Sequence, residues 1–392
     1  MKKVVISVGM GPQQLAFIKR LKENGYTVVA FGKGKNSAEA IRLCDYSAEL
    51  DTHDPEAAIR WIDSLGVQVA AVGSFAGGGA VQTVQRLSNY YGTVTAIPDE
   101  LAVGSDKTKQ QLLLEKYGLS TIHTWKISEL TDGDIHPNEE YILKPASGRG
   151  SEGITILSGE TLMHRYRDNG DVCKEDIVQD VRKGDEYRCV TIVQNGKLKL
   201  LAPVLRRSYR DTVFLGVLRY ADDHLDRLQA YIQRFLADSG IQNSIIKADI
   251  IVSEKSIDMI EMDIGVGGGT YYKTFVSRLY DRNLMDEYIR LITGEKVIPF
   301  QVARPNLRMD YVFNHQSCPV EYDLEECRKA LSTAFGECEI QVNQLHPEKK
   351  GGFSSNADFI MTVIRNHSSD EKEPFAVDDF VNKRLLRKAE KK

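Results

Sequence analysis

The sequence predicts two architectures along one chain: a doubly wound α/β domain over residues 1–97, then α+β structure to the end. Three observations carry that reading. Short apolar strands alternate with helical patterns up to Ile97, and such alternation implies parallel pairing. From residue 98 strands outnumber helices and follow one another closely, the order of largely antiparallel sheets. The composition, 42% hydrophobic and 27% charged, excludes disordered, collagen-like and disulfide-dense chains. A length of 392 residues fits roughly two to four compact units.

In the first domain, the run over residues 3–8 ends in Gly9 and Gly11, and Leu15, Ile18 and Leu21 then recur at helical spacing before Gly25. Residues 26–31 are β-rich. Pro55 after Asp54 suits a first helical position. A third strand over 67–72 and a helix over 77–91 complete the alternation. A second unit, 98–177, opens with a helix from Lys107 to Tyr117 that Gly118 stops. Strands over 121–127 and 141–143 flank an acidic, turn-rich patch at 131–140, and a strand over 154–157 follows. A third unit, 178–300, reads as strands at 187–193, 245–252 and 257–262, preceded by one at 176–181 on the boundary. Helices over 226–237 and 280–292 pack on them, and 205–217 reads as a specificity loop. In a last α+β unit, 301–392, strands are expected at 307–313, 339–342 and 359–364, a helix at 324–335 and a Lys-, Gly- and Ser-rich loop at 348–356. The tail from Asn382 holds six basic residues against one acid, a pattern of solvated tails.

Several function classes drop out early. A formal charge of −4 argues against a nucleic-acid surface. No apolar run approaches the ~20 residues that cross a bilayer, and the N-terminal stretch is too short for a signal peptide. Cys44, Cys173, Cys189, Cys318, Cys327 and Cys338 contain no CxxC pair, which fits a reduced, cytoplasmic protein without structural zinc. Gly9-Met10-Gly11-Pro12-Gln13-Gln14 fails as a dinucleotide fingerprint because Gln14 replaces the third glycine.

Three motifs carry the chemistry. In the first, 141–154, an apolar strand delivers Lys144, and a loop with Gly148, Arg149, Gly150, Ser151 and Gly153 follows. Glycines let backbone N–H groups approach a polyphosphate, and the lysine adds a point charge. No Gly-Lys-[Ser/Thr] closes the loop, so it is not a Walker A sequence. In the second, a strand ends at Gln179-Asp180-Val181, turns at Gly184 and resumes at Glu186. Alone this is an ordinary turn. In the third, Glu261 and Asp263 leave one face of a strand and Asp249 can lie opposite in a hairpin. Three converging carboxylates repel unless a cation intervenes, and oxygen-only ligands favour Mg²⁺ or Mn²⁺. A solvated polar face is the plain alternative.

In this order and spacing the motifs resemble the ATP-grasp superfamily, particularly its carboxylate–amine ligases, relatives of D-alanine–D-alanine ligase, biotin carboxylase and carbamoyl phosphate synthetase. The resemblance covers residues 1–294 and implies two α+β subdomains clamping ATP behind an α/β domain. It implies that Lys107 and Lys144 bind phosphate, that Gly148, Arg149, Gly150, Ser151 and Gly153 form a lid, and that the Gln179, Asp180 and Val181 backbone holds adenine. Glu186 would bond the ribose, and Asp249, Glu261 and Asp263 would hold the metal. The chain departs from the family twice: Asp263 stands where relatives commonly have Asn, and Val266 near the place of a usual arginine. Arg206, Arg207, Arg219 and Arg278 are therefore the candidates for binding a substrate carboxylate. The activity implied is an ADP-forming ligation of a small carboxylate to an amine through an acylphosphate, with ATP and Mg²⁺. The rival readings are a carboxylase or kinase-like enzyme and an inactive ATP-binding module. No nucleic-acid or membrane partner is expected; a homo-oligomer is left open.

Overall fold

The computed structural model describes residues 3–34, 36–75, 79–103, 106–131, 133–145, 151–165, 173, 175–265, 271–343, 346–367 and 373–389. The first unit runs β1 (Lys3–Val8), α1 (Pro12–Glu23), β2 (Thr27–Phe31), α2 (Ala38–Leu43), β3 (Tyr46–Ala48), α3 (Pro55–Ser64), β4 (Gln68–Gly73) and α4 (Gly79–Tyr91). Its strands pair in parallel in the order β3-β2-β1-β4, the doubly wound arrangement expected. Local chemistry sets the helix starts. Pro12 opens α1, and the Asp54 side chain caps α3 by accepting from the Ala57 N–H at 3.0 Å.

Next come α5 (Lys107–Lys116), β5 (Thr124–Lys126), β6 (Glu140–Lys144), β7 (Thr155–Ser158), α6 (Gly159–His164) and β8 (Ile177–Asp180). The four strands form a small antiparallel sheet, β5-β8-β6-β7. The chain continues through β9 (Asp185–Gln194), β10 (Lys197–Ser208), β11 (Leu215–Tyr220), α7 (Leu225–Ser239), β12 (Ser244–Val252), β13 (Ile257–Ile264), α8 (Ser277–Leu279) and α9 (Leu284–Ile292). It closes with β14 (Leu307–Phe313), β15 (Val320–Glu321), α10 (Leu324–Phe335), β16 (Cys338–Val342), β17 (Phe359–Asn366), α11 (Ala376–Arg384) and β18 (Arg387–Lys388).

One eight-stranded antiparallel sheet, β13-β12-β9-β10-β11-β14-β17-β16, dominates this region. It runs across residue 300 through the β11–β14 pairing, so the units expected at 178–300 and 301–392 share a sheet. One face packs on the first domain, α8 and α9, through Val190, Val204, Leu218 and Met309. On the other, Tyr187, Cys189, Leu205 and Ile250 meet Leu228, Ile232 and Phe235 of α7. Each such burial contributes roughly 1.5–3 kcal/mol. The first domain docks on α9 through Phe17, Phe75 and Tyr288, whose hydroxyl accepts from the Ser74 N–H at 3.1 Å. Within the domain, Gln14 ties α1 to the end of β4, donating to the Ser74 hydroxyl at 3.1 Å and accepting from the Phe75 N–H at 2.9 Å. Gln14, in the third-glycine position, is thus a buried joint.

Three sequence expectations change. The segment 205–217 is the β10–β11 hairpin, because β10 is buried on both faces over Leu200–Val204 and lacks the alternation that marks a half-buried strand. The helix expected over 280–292 is α9 alone: Asp281 takes a left-handed φ of 48°, and Asn283 caps a fresh start by accepting from the Met285 N–H at 3.0 Å. The basic tail is not simply solvated. Leu385 and Leu386 are buried, and β18 pairs with β15.

Candidate functional site

The small sheet and the β12–β13 edge of the large one face each other across a cleft lined by Lys107, Gln111, Lys144, Ile154, Gln179 and Glu261. Lys107 is the first residue of α5, whose start Asp106 caps by accepting from the Lys109 N–H at 3.0 Å. A helix N-terminus favours anions. The Lys107 ammonium donates to the Pro145 carbonyl at 3.0 Å. Burial lowers its pKa, with Glu261 and Asp176 opposing the shift.

Lys144 ends β6 and donates to Gln179 Oε1 on the neighbouring strand β8. Gln179 is buried, and its amide group donates to Gln111 Oε1 at 3.0 Å and Thr124 Oγ1 at 2.8 Å. Those two acceptors fix which way the amide faces, so its oxygen is presented to the lysine. Burial brings Lys144 down to about 8, with Glu261 pulling the other way. Two lysines with neutral acceptors therefore face the cleft.

Of the glycine-rich loop, Gly148, Arg149 and Gly150 lie outside the described residues. Ser151 has a φ of 60° and its hydroxyl accepts from Asn356 Nδ2 at 2.9 Å. Asn356 Oδ1 in turn accepts from the Leu215 N–H at 2.6 Å, so a residue of the 348–356 loop ties the end of the glycine-rich loop to β11. Gly153 has a φ of +71°, and a Cβ there would lie 2.8 Å from Pro145 Cγ; no other residue fits.

The large-sheet wall differs from the carboxylate cluster expected. Asp249 lies opposite both Glu261 and Arg188, and Arg188 takes its carboxylate with two bonds, 2.9 and 2.7 Å. Burial opposes that charge, but Arg188 holds the Asp249 carboxyl well below the usual carboxylate range. Lys247, opposite Asp263, donates to it at 2.9 Å and lies 3.9 Å from Glu261. Burial works to lower Lys247, yet Asp263, Glu261 and Asp249 outweigh it and push it up to about 12. The three carboxylates are thus compensated by Arg188 and Lys247 rather than left to repel. Sequence reasoning missed both cations; Lys247, two residues before Asp249 on one strand and so on its face, was the one with a local signal.

As a metal set the three divide. Among the described residues their oxygens do not gather within 4.8 Å of one another. Asp249 is buried and turned into Arg188, whereas Glu261 is half exposed and Asp263 keeps 30% of its side-chain surface. Mg²⁺ is usually held by one or two carboxylates plus phosphate oxygens. Glu261 and Asp263 fit that role; Asp249 fits a positioning one.

The remaining expected residues scatter. Glu186 pairs with Arg206, whose guanidinium also donates to the Val213 carbonyl at 2.5 Å. The Asp180 and Val181 N–H groups are engaged by the His123 and Glu140 carbonyls at 3.2 and 3.4 Å, so neither is idle for adenine. Arg278 leaves the site altogether, pairing with Glu339 of β16 at 3.1 Å. Arg207 and Arg219 leave the sheet on the face of Leu205, away from Arg206, because neighbouring strand residues point to opposite faces.

No family model and no curated protein matches the chain. Solved structures do. An L-amino acid ligase from Bacillus licheniformis superposes with a TM-score of 0.72 at 14% identity, over 100% of this chain and 99% of the other. A phosphoribosylglycinamide synthetase from Anaerococcus prevotii gives 0.68 at 15%, over 100% of both. An N5-carboxyaminoimidazole synthase from Aspergillus clavatus, in complex with ADP and an aminoimidazole ribonucleotide, gives 0.66 at 12%, over 96% and 98%. The chain has the ATP-grasp fold. No helix among the described residues is long and apolar enough to cross a membrane.

Proposed function

We propose that the protein is an ATP-dependent, ADP-forming carboxylate–amine ligase acting on small molecules in the cytoplasm. The observation that carries this reading is the pair Lys107 and Lys144, aimed into one cleft with only neutral acceptors. Such cations suit a polyphosphate, and the superposed structures of this fold include ligases and synthetases. Six free cysteines fit a reducing compartment.

ATP enters as a substrate. Lys107 and Lys144 would neutralise its terminal phosphates, with Gly148, Arg149, Gly150, Ser151 and Gly153 closing over them and Asp180, Val181 and Glu186 at the nucleoside end. Glu261 and Asp263 would hold a Mg²⁺, which when bound screens phosphate charge. A substrate carboxylate oxygen then attacks the γ-phosphorus, the bond to the β-bridging oxygen breaks, and ADP and an acylphosphate result. An amine attacks the acyl carbon and phosphate leaves, giving an amide; the amine proton departs with solvent. Lys247, already protonated and beside Glu261 and Asp263, would steady charge on the transferring group. Positioning and charge do the work, and no proton-transfer residue is assigned.

The test is incubation of the whole protein with Mg-ATP and pooled amino acids, other metabolite carboxylates and amines, following ADP and product mass. Substrate-dependent ADP release with a product lighter than its parts by one water supports the ligase. A product heavier than an amine by 44 Da marks carboxylation by bicarbonate, the reading that the carboxyaminoimidazole synthases favour (44 Da being CO₂, roughly). ATP binding without any substrate-dependent ADP would leave a binding module and sink the proposal.

A further inference from the structure

Across β11, β14 and β17 one cross-strand row reads Arg219, Arg308, Arg365: Arg219 lies opposite Arg308, and Arg308 opposite Arg365. Like charges directly opposite on adjacent strands destabilise a sheet. At one end of the row the charge is met. Asp310, two residues on from Arg308 and so on the same face, accepts from Arg308 Nε at 2.8 Å and from Arg365 Nε at 3.0 Å. At the other end it is not. Arg219 makes no hydrogen bond or ion pair among the described residues, and neither does Arg207. Arg207 lies opposite Val217, on the diagonal from Arg219, within reach of one bound ion.

A cleft of ≈ 750 Å³ opens over this row, lined by Arg207, Arg219, Arg308 and His367 and by two acids, Asp185 and Glu186, the second of them paired with Arg206. Leu205, directly opposite Arg219, packs towards α7, so these arginines stand on the sheet face opposite the one that carries Arg206, Asp249 and Glu261. The volume lies in the range of small-molecule sites, and guanidinium forks match phosphate and carboxylate oxygens. We propose that this cleft is a second site, for a small polyanion with clustered anionic oxygens, held by Arg207 and Arg219 on the sheet face opposite the one that carries Glu261 and Asp263.

The experiment is calorimetric titration of the full chain with pyrophosphate and, separately, with citrate. It uses the parent, Lys144→Ala, and Arg207→Gln/Arg219→Gln in both backgrounds. The expected result is one binding event that survives Lys144→Ala and is weakened at least tenfold by the double arginine change, while ATP affinity of the arginine variant stays within twofold. Pyrophosphate alone marks a phosphate ester as ligand, citrate alone a polycarboxylate, and both a general polyanion site. Binding of neither probe to Lys144→Ala protein, or binding unchanged by the arginine substitutions, overturns the proposal. Should the double variant misfold by circular dichroism, Arg207→Gln alone, at an exposed position, must weaken the event at least threefold. Loss of the nucleotide reading would show separately, as ATP affinity indifferent to Lys144→Ala.

Discussion

On the small-sheet wall of the cleft between the two sheets Lys107 and Lys144 rest on neutral oxygens, whereas on the large-sheet wall each cation meets a carboxylate. Arg188 is locked to Asp249, and Lys247 to Asp263 with Glu261 close by. The physical consequences run in opposite directions. Burial outweighs the pull of Glu261 and lowers the pKa of Lys107 and Lys144; at Lys247 the nearer Asp263, with Glu261 and Asp249, outweighs burial and raises it. The first wall is receptive to an anion, and the second is self-contained.

Arg188→Ala should break that comparison hardest. It strands the buried Asp249 carboxylate, and removal of one partner of a buried pair costs about 3–5 kcal/mol. Denaturant unfolding reads this directly, and a loss below ~1 kcal/mol would mean that the wall does not depend on the pair. Lys144→Ala probes the other wall. A charge-assisted bond to phosphate is worth about 1.5–3 kcal/mol, so ATP affinity by calorimetry should fall at least tenfold while stability holds. Unchanged affinity in a folded variant would remove the lysine from the site.

A pH series sharpens the contrast. Folded Lys144 loses its proton near 8, against 10.5 for an ordinary lysine. Between these values the unfolded chain binds the additional proton, so this group's contribution to stability rises with pH across that window. ATP affinity should run the opposite way and decline above pH 8, with proton uptake on binding. Calorimetry in buffers of different ionisation enthalpy would detect that uptake; identical enthalpies just above pH 8 would contradict it.

The smallest effect is expected of Asp263→Asn. Three unpaired carboxylates would be relieved by losing a charge, but Asp263 is paired with Lys247 at 2.9 Å. The change should therefore destabilise the protein, by less than ~1 kcal/mol, because the carboxamide can still accept from Lys247 and Glu261 stays 3.9 Å from that ammonium. A gain in melting temperature with chelator present would restore the repulsive picture.

The sequence carried the architecture well where local signals were strong. The parallel domain was legible from alternating strands and helices and from Asp54-Pro55, and β14 and α10 from pattern. Lys107, Lys144, Gln179 and Glu261 were legible as a group because motif order reports topology. What stayed hidden depends on cross-strand registry. Arg188 meets Asp249 from 61 residues away, and no local pattern announces that pairing. Adjacent Arg206 and Arg207 looked equivalent until the pleat sent them to opposite faces. Arg278 looked free because Glu339, its partner, is a strand-edge residue distant in sequence.

The seam between β11 and β14 sets a problem of timing during synthesis. β11 ends at Tyr220 and its partner begins only at Leu307. A ribosome adding roughly 5–20 residues per second leaves that edge open for several seconds. Throughout that interval Leu215–Tyr220 presents unpaired N–H and C=O groups on an apolar strand, the kind of edge that recruits strands from neighbouring chains. Two nascent copies on one message could pair there before β14 arrives. Chains ended near residue 300 never receive it, so such truncations should accumulate as aggregates rather than as a smaller folded clamp.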